Sequence, residues 1–197
     1  MKKGLILTLA LVLAIGLGIG ITLAFIYTDT TPLVNTFEYG DVNIKLEETT
    51  TTYKMIPGNT IAKDPTVTVL KDSEACWLFV KVDESANFGD FMTYGIASGW
   101  HELTGVAGVS GVYYREVSAT TADTPFPVLN GNTVTVKASV LKSDLNAFDT
   151  DKNGTLSDTE KEALPTLTFT AYAVQKANVT SVAEAWALVR TEGVPTT

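Results

Sequence analysis

Asp149-Thr150-Asp151-Lys152-Asn153-Gly154-Thr155-Leu156-Ser157-Asp158-Thr159-Glu160 sets oxygen-bearing side chains at alternate positions and ends on a carboxylate. This is the spacing D-x-[DN]-x-[DN]-G-x5-E of an EF-hand calcium loop, matched at every specified position. Calcium takes six to eight hard oxygen ligands, so a tight loop must aim alternate side chains at one point. Asp149, Asp151 and Asn153 are expected to give side-chain oxygens and Thr155 its backbone carbonyl. Ser157 would act directly or through a water, and Glu160 would close the site with both carboxylate oxygens. Gly154 permits the sharp turn, and Leu156 stands where such loops place an inward apolar anchor. A competing reading needs no metal: Ser157 and Glu160 also satisfy the capping box of a short helix that ends before Pro165.

The flanks must hold this loop. Val140, Leu141, Leu145 and Phe148 recur at helical spacing before it. After it the expected helix is short, with Lys161 where an apolar residue is usual, and no second loop is present to pair with. The expectation is an isolated structural clip with the weak affinity of extracellular calcium modules, a dissociation constant of roughly 10⁻⁴–10⁻³ M.

Around the loop the chain reads as mainly β. Val42, Ile44 and Leu46 alternate with polar residues, the period of a half-buried strand. Further strands are predicted at Thr66–Leu70, Cys76–Val82, Val112–Val117, Thr133–Ala138 and Leu167–Gln175. Turn signals fall at Pro57-Gly58-Asn59, Gly105 to Gly111, Pro125 to Pro127 and Asn130-Gly131-Asn132. Thr49 to Thr52 reads as a solvated connection. Many short strands favour a sandwich over an α/β plan. The end of the chain breaks the pattern: Ser181 and Glu184 fit a capping box, and Val182, Ala185, Trp186 and Val189 share one helical face. Gly193 and Pro195 would stop that helix, and Trp186 is expected to dock it on the sandwich.

Other chemistry is poorly served. His101 is the single histidine, and His101-Glu102-Leu103-Thr104-Gly105 has glycine where a zinc helix needs its second histidine. No nucleophile elbow, P-loop or dinucleotide fingerprint appears. Glu47 and Glu48 are neighbours on a strand, so they point to opposite faces and cannot share acid–base work. Cys76 is the one cysteine; within Ala75-Cys76-Trp77-Leu78-Phe79-Val80 it reads as a small core residue.

Lys2 and Lys3 followed by the uncharged run Gly4 to Ile26 form an export leader, residues 1–24, with Thr22-Leu23-Ala24 as its cleavage site. The run is also long enough for a membrane anchor, but Gly16, Gly18 and Gly20 weaken its helix and favour cleavage. Residues 25–197 then form one domain with 12 basic and 22 acidic residues, a net charge of −10. Such a surface repels nucleic acid and anionic lipid and attracts cations. No membrane contact is expected after cleavage.

Thr22-Leu23-Ala24-Phe25-Ile26-Tyr27-Thr28-Asp29, followed by Asn35-Thr36-Phe37, Gly40, Val42, Ile44 and Leu46-Glu47, resembles the processing site and first strand of the SipW-dependent TasA/camelysin family of exported proteins. Pro57-Gly58, Lys63-Asp64-Pro65, Val67 and Phe79-Val80-Lys81-Val82 are similar to the middle of that family. Thr170-Ala171-Tyr172-Ala173-Val174-Gln175 and Ala183-Glu184-Ala185-Trp186 are similar to its last strand and helix. The resemblance implies a jelly-roll-like β-sandwich at the cell surface of a Gram-positive-type bacterium, processed by a signal peptidase. It implies a biofilm-matrix fibre subunit whose homopolymer forms by donation of an N-terminal strand. Pro32 would confine or divide that strand. The calcium loop, at residues 149–160, is an insertion relative to the family pattern. Two alternatives remain: a camelysin-like surface metalloprotease, which lacks a zinc motif here, and a monomeric adhesion module binding cell wall or other matrix components.

Overall fold

The computed structural model describes residues 41–49 and 54–192. The leader, its cleavage site, the segment up to Gly40, residues 50–53 with most of the threonine tract, and the expected helix stop at Gly193 and Pro195 lie outside the described residues.

The protein is mainly β, with short helices. The continuous apolar run at Cys76 becomes β4 (Cys76–Glu84), a strand covered on both faces. That burial explains its lack of alternation. Cys76, Leu78, Val80 and Val82 face one core with Val67 and Val69 of β3 (Thr66–Val69). Trp77 and Phe79 face a second with Trp186 and Ala185. β4 is the centre of an antiparallel layer in the order β10 (Leu167–Gln175), β4, β7 (Val112–Val117), β6 (His101–Glu102).

The facing layer is bent. β1 (Ile44–Glu47), β3 and β8 (Thr124–Pro127) form one antiparallel sheet, and β2 (Thr60–Ala62), β9 (Leu129–Val136) and β5 (Met92–Ile96) form another. β2 runs into β3 and β8 into β9, and at the corner the Val128 N–H donates to the Pro65 carbonyl (2.9 Å). A third core of Phe88, Leu129 and Val134 fills the space behind this bend. The result is a β-sandwich of the jelly-roll type. Among the described residues no helix is long and apolar enough to cross a membrane.

Two turn expectations are corrected. Pro125 to Pro127 is not a turn but the edge strand β8. Val128 donates towards β3, so by alternation the two prolines lie where no donor to β3 is needed. The open Pro127 carbonyl is capped by Trp100 Nε1 (2.9 Å). Asn130-Gly131-Asn132 lies within β9 as a bulge: Tyr94 pairs with Val134 but Ile96 with Leu129. Gly131 and Asn132 take left-handed backbone there (φ 62° and 53°).

Arg115 points inward from β7 and lies over the rings of Phe126 (4.1 Å) and Trp100 (5.3 Å). It closes this side of the sandwich with a charge–ring contact, and loss of solvent lowers its pKa. In the glycine-rich loop before β7, Gly111 is required: its φ is +65°, and a Cβ would sit 2.5 Å from the Val82 carbonyl oxygen.

The C-terminal helix, Val182–Glu192, docks as expected. Trp186 is buried, 5.2 Å from Phe79 and 5.7 Å from Tyr172. Its cap differs in one bond. The Glu184 N–H donates to Ser181 Oγ (3.2 Å), but the Glu184 carboxylate accepts from the Thr180 N–H and hydroxyl, one residue further back than the box predicts. Ser181→Ala is expected to cost about 1 kcal/mol, read as a lower urea midpoint with an unchanged slope.

Candidate metal centre

Three short helices carry or brace the loop: α1 (Phe88–Phe91), α2 (Lys142–Asn146) and α3 (Asp158–Lys161). The helical spacing before the loop yields only α2, just over one turn. It is stabilised where Asp144 accepts from the Leu141 N–H (2.8 Å). Val140 is buried in front of it, whereas Leu141 is largely exposed. Phe148 packs on Phe91 of α1 (5.2 Å between rings). On the outgoing side Asn87 donates to the Ala163 carbonyl (2.9 Å), and Ser85 and Thr166 exchange bonds of 2.9 and 3.0 Å. Both ends of the loop are thus fixed to the β4–β5 connection.

Within the loop, carboxylate oxygens of Asp149, Asp151 and Glu160 lie within 4.8 Å of one another and can hold a metal ion. Asn153 joins them: its side-chain amide donates to Asp151 (2.7 Å), and its backbone N–H donates to both Asp149 (3.1 Å) and Asp151 (3.2 Å). The Gly154 N–H donates to Asp149 Oδ2 (2.8 Å). Gly154 has φ +84° with open space where a Cβ would be, so backbone conformation and not crowding demands glycine. Leu156 is half-buried, as an inward anchor requires.

Thr155 and Ser157 stand differently. The Thr155 N–H and hydroxyl both donate to Asn153 Oδ1 (2.8 and 2.7 Å). Ser157 is the N-cap of α3, accepting from the Glu160 N–H (3.3 Å), while its own N–H and hydroxyl donate to Glu160 Oε2 (2.9 and 2.8 Å). The capping box therefore exists alongside the carboxylate cluster. Thr150, a position without a specified residue type, supplies the other half. Its N–H and hydroxyl both donate to Glu160 Oε1 (2.6 Å each).

Glu160 consequently has four protein donors on two oxygens, which fills its acceptor capacity. It is 8% exposed. Those bonds, the Thr150 hydroxyl first and then the Ser157 N–H, hold its pKa down to about 2. The folded value lies below the ordinary 4.5. This carboxylate's contribution is therefore complete above pH 4.5 and is lost as the pH falls towards 2. The amide signals of Thr150 and Ser157 should titrate together with a midpoint near 2, and Glu160→Gln should remove that titration. A midpoint at the ordinary value would contradict the bonding described.

A metal bound at these three carboxylates would meet hard oxygen donors. To bind through both oxygens, Glu160 must release the two hydroxyls, which can rotate away, and keep the two backbone N–H bonds. His101 sits elsewhere, exposed on β6, with its ring tilted against that of Tyr114 (5.7 Å between centroids). Glu48, meanwhile, pairs with Lys63 (2.8 Å). Cys76 is fully buried, which pushes its thiol up to about 11. No family model, curated protein or solved structure matches the chain.

Proposed function

We infer that the chain is an exported structural subunit of a surface or biofilm matrix. On this reading it belongs with the SipW-dependent TasA/camelysin-type proteins and is clipped by calcium at Asp149–Glu160. Calcium is the metal favoured because the loop follows the EF-hand spacing and its donors are all oxygens. The inserted loop would tie the β9–β10 connection to the β4–β5 connection, stiffening one end of the sandwich.

The observation that carries the polymer reading is a slot between two strand edges. Among the described residues β10 pairs only with β4, and β1 only with β3. Between these edges and the C-terminal helix runs a groove of about 600 Å³, walled by Val42, Ile44, Ala171, Ala173 and Leu188 among others. Small alanines leave room for the side chains of an added strand, and main-chain bonds to β10 would supply affinity. The opposite side carries two prolines in β8 and the inward Arg115, features that discourage strand addition. The segment from about Phe25 to Phe37, freed by cleavage after Ala24, is the donor we assign to a neighbour's slot.

Electron microscopy of the processed protein, with and without calcium, tests this. Filaments are expected. Monomers under every condition would reject the polymer and leave a binding module, which pull-downs with cell-wall polymer would reveal. Chelator-sensitive casein cleavage that disappears in His101→Ala would instead establish the protease.

A further inference from the structure

A second cavity, independent of the strand slot and of whether the loop holds calcium, lies where the bent layer meets the exit of the metal loop. Its volume is about 450 Å³, within the range of small-molecule sites. The buried side chains of Phe88 and Val134 contribute to its lining, and Leu164, just beyond α3, lines it from the loop side. The chain has three methionines, Met1, Met55 and Met92. Both of those beyond the start residue line this cavity. Unbranched thioethers adapt to flexible apolar partners, so their concentration in one cavity favours an alkyl chain over a rigid ligand.

The charged lining is of one sign. Among the described residues Lys63 and Lys161 line the cavity and no carboxylate does so, although the chain as a whole carries −8. Lys63 is fixed by its pair with Glu48 (2.8 Å). Lys161 pairs with Asp158 (2.9 Å), but both side chains are more than half exposed, and such pairs hold weakly. Its ammonium can therefore turn to a ligand with little loss. Thr166 and Thr168 also line the cavity, are exposed, and carry hydroxyls.

We propose that this cavity binds an anionic amphiphile of the long-chain carboxylate class. The alkyl chain lies among Met55, Met92, Phe88 and Val134, and the carboxylate meets Lys161 at the mouth. The two methionines provide the readout. In the full chain labelled with ¹³C at the methionine methyls, the Met55 and Met92 signals are assigned through Met55→Leu and Met92→Leu. Dodecanoate is then titrated below its micellar concentration, beside dodecyltrimethylammonium as the matched cation. Both signals should shift saturably with dodecanoate, with affinity a few-fold above the cation's, as an exposed charge contact of up to about 1 kcal/mol allows. Lys161→Glu should remove that preference. Thr168→Trp, at an exposed position, should fold with an unchanged melt and lose the shifts by filling the mouth. Static methionine signals, equal affinity for both headgroups, or full binding by a folded Thr168→Trp would each overturn the proposal.

Discussion

Calcium at about 10 mM is expected to raise the melting temperature by about 5–10 °C, and Asp149→Ala with Glu160→Ala to abolish the rise. A ligand bound only to the folded chain stabilises it by RT ln(1 + [L]/Kd), about 2.7 kcal/mol at a hundredfold excess over Kd. For a Kd of roughly 10⁻⁴ M that excess is reached near 10 mM, and for a domain of this size each kcal/mol moves the melt by about 2–4 °C. On the calcium reading, the bonds already made by Glu160 favour this weak range. Protons do not compete at neutral pH, since Glu160 is ionised down to about 2. The competitors are the hydroxyls of Thr150 and Ser157, already seated on its two oxygens.

That competition yields a sharper expectation. Thr150→Val keeps the backbone N–H bond to Oε1 but removes the hydroxyl, so calcium should bind a few-fold more tightly, about 1 kcal/mol. If the hydroxyl merely supports the loop, the same substitution weakens binding. An unchanged melt at about 10 mM calcium, or an equal rise in the double alanine variant, would show that the carboxylates form an internal hydrogen-bonded loop and nothing more.

The difference between Thr150 and Asp149 marks how far the sequence could be read. Ligand types at fixed spacing are a local property, and the structure brings Asp149, Asp151 and Glu160 together as that spacing requires. Thr150 occupies a free position of the motif, and its role arises only once the chain closes on itself. The supports of the loop, Ser85, Asn87 and Phe91, lie far off in sequence; Asn87 and Ala163 are 76 positions apart. Nothing in a helical period could name them.

The strands divide in the same way. Val112–Val117 coincides with its expected bounds, and the run from Cys76 extends by two residues, because burial imposes a pattern on long strands. Thr60–Ala62 is too short to show a period, and Met92–Ile96 alternates, with Met92, Tyr94 and Ile96 inward, but over only five residues. They are short and exist by pairing with β9. β8 was obscured by its prolines, whose meaning at an edge differs from their meaning in a turn.

The same edge logic supplies the largest effect expected of a single substitution: Ala173→Pro should yield a folded subunit that forms no filaments. The Lys176 N–H donates to Ala75 (2.7 Å) and the Ser85 N–H to Thr166 (3.0 Å), so the even-numbered residues of this strand bond to β4. By alternation the N–H groups of Leu167, Phe169, Ala171, Ala173 and Gln175 point to the open side. Proline at 173 removes one outward donor at the middle of the slot and no bond to β4, a place where edge strands tolerate it. Val174→Pro, one residue on, breaks the β10–β4 ladder instead and should cost about 3 kcal/mol or more, by analogy with proline in other hydrogen-bonded positions. The pair separates assembly from folding: under strand donation Ala173→Pro melts near the parent but stays monomeric by light scattering, while Val174→Pro melts far lower. Filaments of Ala173→Pro indistinguishable from the parent's would move the acceptor away from β10, and with it the assignment of the groove beside the C-terminal helix.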